Sequence, residues 1–119
     1  MTHNMKLHPL PFSQIAVGSK TIELRLYDEK RRKIQPGDHI IFTNTDTQQT
    51  LTATVAALHC FETFAALYRS LPLLRCGYTP KNISTASPTD MEAYYSPAEQ
   101  QQHGVIGIEL EQIQLNSSP

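Results

Sequence analysis

In residues 20–26, Lys-Thr-Ile-Glu-Leu-Arg-Leu, polar and apolar side chains alternate from Thr21 onward, the pattern of a strand with a single buried face. Extended, the segment puts Lys20, Ile22, Leu24 and Leu26 on one face and Thr21, Glu23 and Arg25 on the other. Burying the three apolar residues leaves Glu23 and Arg25 together, about 7 Å apart by strand rise, with Lys20 at the mouth where the strand begins. An acid and two bases therefore gather around one strand end. Gly18, just ahead, predicts a helix C-terminus or a tight turn, so that a preceding helix delivers the chain to this entrance.

The flanking sequence supplies the other elements. Residues 6–11 read as a short extended piece because each proline biases its predecessor away from the helix region. Residues 11–17 read as one or two helical turns with Phe12, Ile15 and Ala16 on one side. A charged connection over 27–33 leads to the turn Gln35-Pro36-Gly37-Asp38, then to a strand over 38–43, a polar hairpin loop and a strand over 50–58. Phe61, Phe64, Ala65, Tyr68 and Leu71 recur at helical spacing and predict an amphipathic helix over 62–71. Residues 72–86, with Gly77 and two prolines, predict an irregular segment long enough to act as a lid. Two helix starts follow, Ser87-Pro88 with Asp90 and Ser96-Pro97 with Glu99, each an N-cap with an acid three residues on. The closing strand begins at Val105, with Val105, Gly107, Glu109 and Glu111 on one face and Ile106, Ile108 and Leu110 on the other.

At 119 residues the chain is expected to be one domain over 1–119, with its core in about 6–112 and loose ends at 1–4 and 116–119. Its apolar runs are a few residues long, against the ~20 that span a bilayer, so no membrane partner and a cytoplasmic setting are expected. Cys60 and Cys76 lack Cys-x-x-Cys spacing and read as buried or free thiols. His3, His8, His39, His59 and His103 are scattered without metal-ligand spacing, and no glycine-rich phosphate loop is present, so neither metal nor cofactor is expected. Net charge is −1, yet Lys20, Arg25, Lys30, Arg31, Arg32 and Lys33 fall within fourteen positions. Such a cluster suits phosphate contact through Lys30, Arg31 and Arg32, or else a solvated basic turn. The acidic remainder argues against indiscriminate duplex binding, which needs many phosphate contacts; a short single strand or a nucleoside stays compatible.

Three groups carry candidate chemistry. Lys20, at the entrance, suits a general base or the activator of a nucleophile, or is an exposed strand-end charge. Glu23 beside Arg25 suits proton acceptance or hydrogen bonding to a base edge, and Arg25 can hold a phosphate or stack on a base; the plainer reading is a surface ion pair. Tyr94 and Tyr95, with Tyr27, Tyr68 and Tyr78, offer stacking faces for a nucleobase, one of the adjacent pair facing the ligand and Ser96 lying next to them.

The string Gly18-x-Lys20-Thr21-x-Glu23-x-Arg25, followed by Pro36-Gly37-Asp38 and an apolar run, resembles the signature of the ASCH domain, over about residues 6–112. The resemblance implies an α+β fold, a small PUA-like β-barrel of about five to six mostly antiparallel strands with short peripheral helices, the 62–71 helix plugging one end. It implies two functions of different class. One is an RNA-binding module taking RNA or a modified nucleobase, nucleoside or nucleotide at Lys20, Thr21, Glu23, Arg25, Tyr94, Tyr95 and Ser96. The other is an amidohydrolase of N4-acetylcytidine with Lys20 and Glu23 as catalytic residues, a ribonuclease being a further possibility. That hydrolytic branch uses a lysine, a threonine three positions on and a distal glutamate. Here Glu23 stands at the threonine's position, and Asp90, Glu92 and Glu99 all remain open as the distal acid. An interaction domain without a ligand is the third reading.

Overall fold

A computed structural model describes residues 1–116. Five strands form one sheet: β1 (Thr2–Leu7), β2 (Ile22–Leu26), β3 (His39–Asn44), β4 (Thr50–Phe61) and β5 (Val105–Leu115), in the order β1-β3-β4-β5-β2. Three pairings are antiparallel and β1–β3 is parallel, so the sheet is mixed. A parallel neighbour needs a crossover. It is provided by α1 (Pro9–Ala16), β2 and the single turn α2 (Glu29–Arg32). Two further helices, α3 (Phe64–Ser70) and α4 (Pro97–His103), and three 3-10 turns complete an α+β chain.

Of residues 1–4, expected to be loose, Thr2, His3 and Asn4 instead belong to β1. His3, Met5 and Leu7 are buried while Thr2, Asn4 and Lys6 are exposed, the alternation of a half-buried strand. Asp38 explains why the strand holds: its carboxylate takes His3 Nε2 at 2.8 Å, the Gln35 amide at 3.0 Å and the terminal ammonium at 3.3 Å. The Pro36-Gly37-Asp38 turn is thus a clasp on β1. Gly37 makes the turn with φ +92°, in the left-handed region glycine enters without cost, and donates to Val55 O at 2.8 Å. Asn116 is held on β4 through Thr50 and Thr52, whereas 117–119, part of the expected loose end, lie outside the described residues.

The sheet is a half-barrel with a core on each face. Inside, Met5, Leu7, Ile40, Phe42, Leu51, Val55, Ile106, Ile108 and Leu110 close around Phe12 and Ile15 of α1. Outside, Ile22, Leu24 and Leu26 pack with Val105 against Phe64 and Leu67 of α3. Each such apolar side chain contributes about 1.5–3 kcal/mol when fully buried. The amphipathic 62–71 segment is therefore a helix, but it covers the outer face and α1 fills the interior. Gly107 permits this: a Cβ there would lie 2.6 Å from Leu71 Cδ1. Thr63 starts α3 by accepting the Ala66 amide at 3.1 Å.

Candidate functional site: a charged cleft at the last strand

The interior face carries the apolar core from β1 to β5, with His3 and Asn44 as buried polar residues on β1 and β3, and turns ionic at β2. Glu23 stands opposite Ile108 and Arg25 opposite Ile106, on the face that those isoleucines give to the interior core. Two ionisable side chains thus occupy the positions where that core would continue. Glu23 is 4% exposed, with Oε1 at 2.8 Å from Lys20 Nζ and Oε2 at 2.7 Å from Arg25 Nε. Burial alone would push this carboxyl up; the adjacent Lys20 and Arg25 charges and their hydrogen bonds outweigh it and hold Glu23 below the ordinary carboxylate range. For Arg25, burial works against the cation and the Glu23 carboxylate prevails, so its pKa is raised.

Strict alternation would separate Lys20 from Glu23. They meet because strand geometry begins only at Ile22, while Lys20 lies in the turn leaving α1, its amide donating to Gln14 O at 3.0 Å. Gly18, at φ +86°, terminates α1 as its position suggests. Arg25 also donates from Nη2 to Lys6 O at 2.7 Å, and Lys30 Nζ donates to Asn4 O at 2.6 Å. These side chains tie β2 and α2 to the edge of β1, where no strand pairing closes the half-barrel.

Above the triad opens a cleft of about 780 Å³. It is lined by Lys20, Glu23 and Arg25, by Lys6, Leu10 and Gln14 from β1 and α1, and by Tyr68, Tyr78, Asp90, Tyr94 and Tyr95 from the segments that follow β4. From residues 72–86, Cys76, Gly77, Tyr78, Thr79 and Asn82 line the cleft, and the segment holds two 3-10 turns (Leu73–Arg75, Ile83–Thr85) rather than being without structure. Its seat is Gly77, at φ +112°: the Gly77 carbonyl accepts Gln14 Nε2 at 3.1 Å, and a Cβ would lie 3.5 Å from Lys20 Cδ. Burial pushes the neighbouring Cys76 thiol up to about 11, which keeps it protonated.

Of the other site candidates, Tyr94 and Tyr95 both line the cleft, Tyr94 64% exposed and Tyr95 stacked on Phe64 at 6.3 Å. Asp90 is the one distal acid of the three on the cleft wall; Glu99 instead accepts the Ser96 amide at 3.0 Å. Thr21 is turned away: its hydroxyl accepts Arg75 Nε at 2.8 Å beside Glu109. Ser96 caps α4. Lys30, Arg31 and Arg32 are outside the cleft lining, Arg31 paired with Asp28 at 2.9 Å and Arg32 lying over the Tyr27 ring at 4.4 Å. Sequence reasoning passed over Gln14 and Gly77, which carry no signal until α1 and the covering segment are docked. It also missed the bond of Tyr78 to Asp90.

Fold and cleft together define a small α+β half-barrel with a buried ionic triad at its open edge. The chain belongs to the ASCH domain family, whose model matches residues 5–114. Among solved structures it is similar to hypothetical protein PH0355 (28% identity, TM-score 0.75, 93% of this chain and 98% of that one). It is also similar to protein PF0455 from Pyrococcus furiosus (30% identity, TM-score 0.70, 93% and 96%). The fold extends to ASCH from Zymomonas mobilis at 16% identity, with TM-score 0.65 over 94% of this chain and 68% of that one. Comparison with curated proteins gives no match. Among the described residues no helix is long and apolar enough to cross a membrane, and no three His, Cys, Asp or Glu are grouped to hold a metal ion.

Proposed function

We propose that the cleft binds a nucleobase or nucleoside, free or within single-stranded RNA. One observation carries the reading: an ionised Glu23 is buried between Lys20 and Arg25 at positions where apolar residues would extend the core. Buried ion triads contribute little net stability, so their presence in a cleft points to ligand recognition. Lys20 and Arg25 retain N–H donors beyond those given to Glu23 and Lys6, and exposed Tyr94 offers a ring for stacking. The PUA-like likeness of the half-barrel and a cytoplasmic setting belong to the same proposal. Lys30, Arg31 and Arg32, on α2 next to the Arg25 seam, are its phosphate contacts for a longer strand.

Titrating the protein with nucleosides and short single-stranded RNA tests this reading. Lys20→Ala and Arg25→Ala are expected to weaken both ligands, and joint replacement of Lys30, Arg31 and Arg32 to weaken RNA alone. Curves unchanged by Lys20→Ala and Arg25→Ala overturn it. A second reading, hydrolysis of an acylated base amine such as N4-acetylcytidine, is favoured by the Lys20–Glu23 dyad at 2.8 Å. Release of cytidine that disappears in Lys20→Ala selects catalysis; binding without release selects the module. Cleavage of RNA, tested with the same variants, selects the ribonuclease.

A further inference from the structure

The open seam of the half-barrel has a one-sided hydrogen-bonding balance, which follows from the register of β1. Met1 O accepts the His39 amide at 3.0 Å and Leu7 O accepts the Thr45 amide at 2.9 Å. The odd residues of β1 therefore turn their backbone groups to β3, and the even ones turn theirs to the free edge. Such an edge ordinarily offers donors and acceptors alternately and invites another strand. Here the acceptors are spent: Lys6 O takes Arg25 Nη2 at 2.7 Å, and Asn4 O takes Lys30 Nζ at 2.6 Å. The Asn4 and Lys6 amides have no acceptor among the described residues. Arg25 and Lys30 keep further N–H donors, and neither Lys6 nor Lys30 is paired with a carboxylate among the described residues. The backbone and cations of the seam thus present donors and positive charge, which suits an anion and not a further strand.

We infer that this seam holds, at two stations, the phosphates of the strand whose base occupies the cleft. This rests on the nucleoside reading above and specifies how its strand leaves the site. Lys6 and Arg25 line the cleft, so the Lys6 amide and the Arg25 guanidinium form the first station, at the cleft's edge. The Asn4 amide and the Lys30 ammonium form the second, two residues back along β1 and about 7 Å away by strand rise, outside the cleft lining. Backbone amides and the cations of Arg and Lys are the usual holders of phosphate oxygens, and they position a strand without reading its bases. Arg31 is held by Asp28 and Arg32 lies over Tyr27, which leaves Lys30 as the α2 cation at the seam.

The test compares the dissociation constants of cytidine, its 5′- and 3′-monophosphates, and the dinucleotide CpC with and without a terminal phosphate at either end. One monophosphate is expected to bind about tenfold more tightly than cytidine, the gain of one charge-assisted contact at the first station. A terminal phosphate at the matching end of CpC is expected to add about threefold or more at the exposed second station. Proline removes an amide and is tolerated on an edge strand, so each proline variant is read against the alanine variant that keeps the amide. Lys6→Pro is expected to lower the first gain relative to Lys6→Ala. Asn4→Pro, relative to Asn4→Ala, is expected to lose the second gain and keep the first, and so is Lys30→Ala, which decides if the proline variants do not fold. Cytidine binding with no gain from either phosphate overturns this inference and leaves the nucleoside site standing. So does a first gain equal in Lys6→Pro and Lys6→Ala, or a second gain that survives both Asn4→Pro and Lys30→Ala. No binding of cytidine or of any of its phosphates overturns both.

Discussion

The two faces of β2 come from the same five residues and do opposite things. Outward, Ile22, Leu24 and Leu26 join Phe64 and Leu67 in a packed layer. Inward, Glu23 and Arg25 replace what would be the last apolar positions of the interior core with charges that satisfy one another. Area buried against water holds the first face together. The second holds only while every charge has its partner, because a buried charge without one loses its hydration for nothing. The strand thus separates the part of the molecule that makes the fold from the part left free to recognise something.

The largest way to break this contrast is Glu23→Ala. It leaves Lys20 and Arg25 facing each other in a half-dry cleft, and a loss of about 3–5 kcal/mol in urea denaturation is expected. The complementary experiment makes the inner face like the outer one. A triple variant Lys20→Met, Glu23→Leu, Arg25→Met is expected to be as stable as wild type, or more stable by about 1–4 kcal/mol, while nucleoside binding disappears. If the triple variant instead unfolds, the ions hold the seam to Lys6 O and are structural.

Next in size is the outer face itself. Leu67 is fully buried on Ile22, Leu24 and Leu26, so Leu67→Ala is expected to cost about 2–4 kcal/mol, read by the same denaturation. Affinity for any ligand of the cleft is expected to stay within about twofold, because Leu67 is not among the cleft's lining residues. A parallel fall in affinity would show that the two faces are coupled through the strand.

Local pattern made the outer face and the Glu23–Arg25 pair legible and left the joining of Tyr68, Tyr78 and Asp90 dark. The alternation of residues 20–26 is a property of consecutive residues, so Ile22, Leu24 and Leu26 could be assigned together and Glu23 placed beside Arg25. Ser87 with Asp90 and Ser96 with Glu99 were readable as caps for the same reason, and both capping boxes are present. Thr21, by contrast, was set beside Glu23 by extending the strand alternation two residues too early. β1 was lost to the ordinary looseness of chain ends because its anchor, Asp38, is 35 residues away from His3. The joining of Tyr68 to Tyr78, and of Tyr78 to Asp90, depends on how residues 72–86 fold back over the sheet. No periodicity records that.

The smallest expected effect sharpens the contrast at low pH. Ile22, Leu24, Leu26, Phe64 and Leu67 carry nothing that titrates, so acid acts on the molecule through carboxylates held low by their partners: Glu23 on the inner face, Asp38 at the foot of β3, Asp90 through Tyr78 and Glu109 through His59. The His3 hydrogen bond, the Gln35 amide and the terminal ammonium together bring Asp38 down to about 2. A carboxyl lower in the folded than in the unfolded chain adds stability above its unfolded pKa, near 3.8, and loses it as pH falls towards about 2. Glu23 acts in the same sense, its contribution fading below about 4.5 as pH drops through its depressed value. Thermal melts between about pH 6 and pH 2 are therefore expected to fall steepest below pH 4. Asp38→Asn should start lower at neutral pH and fall less across that window, keeping the Glu23 part of the limb; the triple variant should lose the Glu23 part and keep the Asp38 part. If Asp38→Asn follows the wild-type limb in parallel, the clasp on β1 does not depend on the Asp38 charge, and acid lability belongs to the other paired carboxylates, Glu23 among them.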